Sequence, residues 1–403
     1  MAERKKSVLI VSQLFPPESG HGNVSRIYDM AYNLTKQGVD VHVISPFPTF
    51  PNGTFSRTWK LSSESLIDGI NLTNLWTWQP LSKDPGFFSR MGYYLLFPLH
   101  TSLWVLFHGK KYDTIITSSP PVFTHIPGLL AKKFTGKKWI MDVRDLWIDA
   151  SISLGFLRKG SSLEKITRIF EKKCLFASDA IGVTTHELGR RLSDVPEVQK
   201  KIHFIPNGVD TDYFHPSALV KKDQIVYAGN IGYAQDLDLV IRAVQIINQQ
   251  RHLEFIIAGG GDTKSNLERL VGSLGLENIV HFPGILSREE IPRLFSESLL
   301  GVAPLKKIHT LEYAAPTKVY EYMSCCIPFV GCGAGEIQEI ADQSGAGVIA
   351  ENSPEAIAGA ILQLVNDPLK SNNMGKSGRK FVEQRYTRKA ITGTLKELIE
   401  RIS

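Results

Sequence analysis

The sequence predicts an α/β protein made of two similar halves, each a mainly parallel, doubly wound Rossmann-like sheet. Three observations carry this. Short β-rich apolar runs alternate with amphipathic helical stretches, the pattern of strands covered on both faces by crossover helices. The alternation pauses around Pro206-Asn-Gly-Val-Asp and then restarts. A glycine-bearing loop follows the first strand of each half, with Gly20 and Gly22 in one and Gly229 and Gly232 in the other.

In chain order, the first half places strands at 7–11, 41–45, 114–117, 138–141, 180–184 and 202–205. Amphipathic stretches at 23–36, 123–134 and 164–176 fill several of the gaps. The second half places strands at 224–228, 253–258, 279–282, 299–303, 328–331 and 347–350, with helices at 236–250, 264–274, 316–325 and 354–364. The expected domains are 1–210 and 211–385, followed by a charged helix over 386–403 that crosses back to the first domain. Ligands of such sheets bind at the carboxyl ends of the strands, so two facing halves would enclose one deep cleft.

Two segments need separate argument. Arg4-Lys5-Lys6 followed by an apolar run looks like a short signal peptide. The run breaks at Ser12-Gln13 and no small-x-small cleavage site follows, so it is read as a first buried strand. The segment 87–108 is rich in Phe, Tyr, Leu and Trp, but Arg90, Pro98 and His100 interrupt it and Lys110-Lys111 flank it. It lacks the roughly 20 uninterrupted apolar residues of a spanning helix. Two readings fit: a buried helix, or an interfacial element whose aromatics enter a bilayer while the lysines meet anionic head groups.

A chain of 403 residues with 43% hydrophobic and 21% charged residues can bury two cores, which sets aside disordered and fibrous classes. The net charge of +6 suits an anionic partner, either a phosphorylated substrate or a membrane surface. Without a dense arginine patch or a zinc finger, nucleic acid is not an expected partner. The four cysteines form no CxxC pair and no zinc spacing, so no metal site is expected and the thiols belong to a reducing compartment.

Chemistry concentrates at a few motifs. After the first strand, the third glycine of a dinucleotide loop is replaced by Ser25 and no acidic residue ends the second strand, which argues against NAD. Gly20 and Gly22 then mark either a plain turn or a close approach of backbone to phosphate or sugar. Gly229-Asn230-Ile-Gly232 offers the same choice, and Ala258-Gly-Gly-Gly-Asp is no P-loop. In Ala315-Pro-Thr-Lys-Val-Tyr-Glu, Pro316 suits the first helical position. The amides of Thr317, Lys318 and Val319 would point along the helix axis at an anion, and Lys318 would add a full charge. Glu321, one turn on, is placed to accept ribose hydroxyls; a Lys318–Glu321 surface pair is the plain alternative. Asp142, Arg144 and Asp145 cluster at a strand end, as cleft contacts or as loop support, and His125 begins a helix after Ser118-Ser-Pro-Pro.

Taken together, these motifs resemble the family-4 retaining glycosyltransferases of the GT-B fold, nearest to bacterial and archaeal enzymes of lipid-linked surface polysaccharide and O-antigen synthesis. The match runs in order through Pro16-Pro-x-x-Gly20-x-Gly22, Ser118-Ser-Pro-Pro, Asp142-Val-Arg-Asp-Leu-Trp, Pro206-Asn-Gly-Val-Asp, Tyr227-Ala-Gly-Asn-Ile-Gly and Ala258-Gly-Gly-Gly. It continues with His281-Phe-Pro-Gly, Pro316-Thr-Lys-Val-Tyr-Glu and Gly335-Glu336.

The resemblance implies transfer of a hexose or N-acetylhexosamine from a UDP- or GDP-sugar to a lipid-linked or glycan acceptor, with retention. It implies no metal or cofactor, attack on the leaving-group face, and a donor phosphate oxygen as proton acceptor. It assigns Glu321 to the donor ribose, Pro316 to Val319 with Lys318 to the diphosphate, Gly20 and Gly22 to the loop beside the donor phosphates, and His125 to the transferred sugar. A polyprenyl-linked acceptor and a cytoplasmic enzyme, peripheral at the inner face of the plasma membrane, follow from the same likeness.

Two departures stand out. The family's earlier glutamate falls on Tyr313, with Glu312 one position away. The family's Arg and Lys after the second domain's first glycine fall on Asn230 and Gln235. Two other functions suit the same scaffold: a nucleotide-sugar epimerase, which would turn over without an acceptor, and a catalytically silent nucleotide-sugar-binding protein.

Overall fold

A computed structural model of the protein describes all residues except 1–4, 17–24, 50–54, 83–85, 154, 193–194 and 288. Gly20 and Gly22 therefore lie outside the described residues. The chain divides into two compact units, Met1–Pro206 with Ile391–Ser403, and Asn207–Ala390.

The first unit is built on eight strands: β1 (Ser7–Ser12), β2 (Asp40–Pro46), β3 (Ser62–Ile67), β4 (Ile70–Leu75), β5 (Thr114–Ser118), β6 (Lys138–Val143), β7 (Ala180–Val183) and β8 (Ile202–Phe204). Their order is β3-β4-β2-β1-β5-β6-β7-β8. All neighbours are parallel except β3 and β4. The chain reverses direction across the sheet between β1 and β5, and the crevice at such a switch point is where open α/β sheets bind ligands. Every residue of β1 and β5 is buried, which is why those runs read as continuous apolar stretches without a polar face.

The β3–β4 hairpin is absent from the sequence reading. Its turn is Asp68-Gly69, with φ of 52° and 82°, the backbone of a two-residue hairpin turn. Residues of β3 are mostly exposed, so no apolar run marks them.

Residues Phe87–His108 form one helix with Pro98 inside it. Phe97, Thr101 and Val105 are buried on its inner face, while Phe88, Leu99, Leu103 and Phe107 stay exposed by 89%, 51%, 59% and 81%. The buried-helix reading describes the inner face, and the opposite face is exposed. Among the described residues no helix is long and apolar enough to cross a membrane. The last helix, Arg388–Ile402, sends Leu395, Leu398 and Ile399 into a core with Ile10, Ile116 and Ile140.

The second unit holds six parallel strands: β9 (Gln224–Ala228), β10 (Glu254–Ala258), β11 (Val280–Gly284), β12 (Leu300–Ala303), β13 (Phe329–Cys332) and β14 (Gly347–Ala350), in the order β11-β10-β9-β12-β13-β14. Its switch point lies between β9 and β12. Ile225, Tyr227, Phe255, Ile257 and Val302 join Val240, Val244 and Ile361 of the flanking helices in one core.

Candidate active site

At the second unit's switch point, two glycine loops are laced together. The Gly229 N–H donates to the Ala258 carbonyl at 3.0 Å, and the Ile231 N–H to the Gly260 carbonyl at 2.8 Å. A side chain on Gly259 would meet the Gly229 carbonyl oxygen at 1.9 Å, so the backbones touch and only glycine fits. The Gly232 N–H is also engaged, donating to Gln235 Oε1 at 3.2 Å. The N–H groups of Gly229 and Gly232 thus serve the loop. Asn230 is exposed, and its carbonyl accepts the Tyr227 hydroxyl.

What the loop provides is room for Lys318. Gly229 has φ +139°, and a Cβ there would stand 3.6 Å from Lys318 Nζ. The same ammonium lies 4.6 Å from the centre of the Tyr227 ring, within cation–π range. Burial pushes Lys318 down to about 8, with Glu321 pulling the other way. Lys318 is nevertheless charged at neutral pH.

The helix that carries Lys318 spans Thr317–Ser324. Pro316 is its N-cap rather than its first helical residue, with an extended ψ of 123°. Tyr322 fixes the helix against the sheet: its ring fills the space over Gly301, where a Cβ would stand 2.5 Å away, and its hydroxyl donates to the Val302 carbonyl at 3.1 Å. Among the described residues no side chain caps the N-terminus. The Val319 N–H donates back to Pro316 O at 3.1 Å, so it too leaves the predicted donor set. Thr317 is exposed, Lys318 and Glu321 are half-buried, and the amides of Thr317 and Lys318 remain at the uncapped positive end of the helix.

In the first unit, Asp142 is enclosed. Its Oδ1 pairs with Arg26 Nη2 at 2.9 Å and its Oδ2 accepts from Ser118 Oγ at 2.7 Å. Arg26 also donates to the carbonyls of Pro206 and Ile205. Asp142 therefore ties β5, β6 and the end of β8 together, which is loop support rather than ligand contact. Arg144 and Asp145 are different. Arg144 Nε and Asp145 Oδ1 are buried without a hydrogen-bond partner among the described residues. Burial pushes Asp145 up to about 6 against the pull of Arg144. Glu171, absent from the sequence reading, is pushed up to about 7, mainly by burial and against the pull of Arg168, with Asp149 and Asp145 also raising it.

His125 ends a 3-10 turn, Val122–His125, and caps the helix Ile126–Thr135. It is fully buried, its Nδ1 sits 2.8 Å from Thr117 Oγ1, and burial holds it down at about 3 against the pull of Asp142. His125 is a neutral imidazole at any physiological pH.

A family model for glycosyltransferase family 4 matches residues 21–213, and one for glycosyl transferases group 1 matches residues 210–381. The chain is a family-4 glycosyltransferase. Among curated relatives, this transferase is 26% identical to a protein of Escherichia coli K12 named for glycosyl transfer in colanic acid biosynthesis, over 66% of its own length and 69% of that protein's. It is 25% identical to the alpha-D-kanosaminyltransferase of Streptomyces kanamyceticus, spanning 44% of its own length and about half (45%) of that relative's. Among solved structures it resembles Anabaena HepE in complex with UDP and glucose, with a TM-score of 0.73 at 15% identity, covering 98% of this chain and 100% of that one. The fold is GT-B.

The transferase has no carboxylate where Tyr313 stands, and that ring is buried. Glu312 is half-buried, 3.9 Å from His309 Nε2. Its carbonyl accepts the Glu336 N–H at 2.8 Å, and a side chain on Gly335 would strike the same carbonyl oxygen at 2.1 Å. The Gly335-Glu336 motif thus fixes the backbone from which the Glu312 side chain projects.

Proposed function

We propose that the transferase moves a hexose or N-acetylhexosamine from a nucleoside-diphosphate sugar to a lipid-linked or glycan acceptor, with retention, in the synthesis of a surface polysaccharide. The observation that carries this is the uncapped start of the Thr317–Ser324 helix, with Lys318 drawn over the side-chain-free Gly229. Breaking the anomeric C–O bond releases a diphosphate, and preorganised donors aimed at that developing charge lower the barrier. The amides of Thr317 and Lys318 and the Lys318 ammonium are such donors. Glu321, one turn along, accepts the ribose hydroxyls. His125 contributes a hydrogen bond to the sugar rather than a proton, because its imidazole stays neutral. The unpaired edges of Arg144 and Asp145 serve the acceptor. Glu312 stands in for the family's earlier glutamate.

The relative named for colanic acid biosynthesis supports a polysaccharide acceptor, and the UDP bound in the Anabaena structure supports a nucleotide-sugar donor. The exposed face of the Phe87–His108 helix, followed by exposed Lys110 and Lys111, supports contact with an anionic membrane at the inner face of the plasma membrane. A panel of nucleotide sugars, screened for thermal stabilisation and then for transfer to polyprenyl-diphosphate sugars, tests the reading. Glu321→Ala should raise the donor KM at least tenfold with a smaller change in kcat; unchanged kinetics would remove the ribose assignment. Turnover without acceptor would favour the epimerase, and binding without any turnover the silent protein.

A further inference from the structure

We propose that Thr117 and Trp139 are positioning residues that hold His125 as the Nε2–H tautomer, so that a fixed N–H donor faces the transferred sugar. This rests on the reading of His125 as a sugar contact.

The argument is a count of donors and acceptors. Trp139 Nε1–H can only donate, and it lies 2.8 Å from Thr117 Oγ1. Thr117 Oγ1 lies 2.8 Å from His125 Nδ1. All three side chains are fully buried, so bulk water does not enter the count. The indole is pinned by Gly128, where a Cβ would stand 2.2 Å from Trp139 Nε1. The hydroxyl oxygen therefore accepts a hydrogen bond from the indole and has its own proton left to donate in another.

If that proton goes to Nδ1, the threonine is satisfied and the imidazole carries its hydrogen on Nε2. If instead Nδ1 carries the hydrogen and donates to Oγ1, the threonine hydroxyl has no acceptor and Nε2 becomes an unmet acceptor as well. The first arrangement leaves one fewer buried group unmet. Its single unmet group is the Nε2–H, which has no partner among the described residues. Buried unpaired donors are rare and costly, and one held in place by two others is suited to meet a ligand oxygen. The turn bearing His125 follows β5 at the switch point of its sheet, the place such sheets keep for ligands.

The tautomer is read directly from two-bond proton–nitrogen correlations of the full-length protein labelled with 15N-histidine, the His125 signals being assigned by their loss in His125→Phe. The inference expects an Nε2–H pattern in the wild-type protein, kept in Thr117→Ser and lost or mixed in the near-isosteric Thr117→Val. Turnover should follow, with kcat near wild type in Thr117→Ser and down by tenfold or more in Thr117→Val, the donor KM moving less than threefold. An Nδ1–H wild type, or a Thr117→Val protein with unchanged tautomer, overturns it. A His125→Phe enzyme with undiminished kcat would instead strike down the sugar assignment, leaving the tautomer result to stand separately.

Discussion

At Lys318, burial and a nearby carboxylate act in opposite directions on one charge. Its ammonium is held over an aromatic ring beside a glycine loop, with Glu321 the charge that favours its protonated form and burial opposing it. The folded protein therefore releases this proton at about 8 rather than at the usual lysine value. An anion bound beside it favours the charged form, so donor affinity is full below about pH 8 and declines as pH rises through it. The donor KM should climb by up to about tenfold per pH unit above 8, and this climb should vanish in Lys318→Arg, whose guanidinium stays charged. A KM flat from pH 7 to 9.5 in the wild-type enzyme would separate Lys318 from the diphosphate. At this scale charge and helix position are legible in the sequence, since both are local. It concealed the partners of Asp142, because Arg26 lies 116 positions away and Ser118 lies 24 away. Thr117 and Trp139 were equally silent, two ordinary strand residues whose meaning lies in a hydroxyl shared across neighbouring strands.

Elements were legible in proportion to how strongly burial patterned them. Strands covered on both faces stand out as apolar runs, and β9, buried throughout, falls on the residues the pattern marks. The β3–β4 hairpin escaped because its outer strand is exposed, although Asp68-Gly69 is a strong local hairpin signal. The Phe87–His108 helix is the instructive case, since it is buried on one face and greasy on the other. Leu99, Leu103 and Phe107 follow one another at intervals of four residues, hence on one stripe, and Lys110 and Lys111 stand at its end. Burying one such side chain in an interface is worth about 1.5–3 kcal/mol, so the stripe can supply reversible binding and the lysines add to it on an anionic surface. The enzyme should sediment with vesicles containing phosphatidylglycerol, less well at high salt. Leu103→Glu with Phe107→Glu should release it while leaving transfer to a water-soluble acceptor analogue intact. Equal sedimentation of the double variant would mean that the stripe does not meet lipid.

At the scale of the whole molecule, the chain's two ends are structurally one body. Residues Ile391–Ser403 belong to the first unit although almost two hundred residues of the second unit intervene. The crossing is built in the second unit by backbone pairing of the two passages. The Val209 N–H donates to the Tyr386 carbonyl at 2.8 Å, and the Arg388 N–H to the Val209 carbonyl at 3.0 Å. Beyond it, Leu395, Leu398 and Ile399 are almost fully enclosed beside strands β1, β5 and β6, and Lys396 donates to the Gln37 carbonyl. The expected return of the last helix to the first domain did not extend to its partners there, because a helix's apolar stripe says that it is buried and not against what. The consequence is asymmetric stability. Leu398→Ala should cost about 2–5 kcal/mol, the usual range for emptying a leucine site in a core. The loss should fall on the first unit, lowering its melting transition by several degrees, since about 1 kcal/mol moves a domain of this size by roughly 2–4 °C. Calorimetry of Leu398→Ala should show that transition shifted and the second unit's unmoved. Nucleotide-sugar binding, measured below the first transition, should persist if the donor determinants reside in the second unit. A uniform shift of all transitions, or a loss of binding in the still-folded variant, would show that the terminal helix supports more of the enzyme than the core it enters.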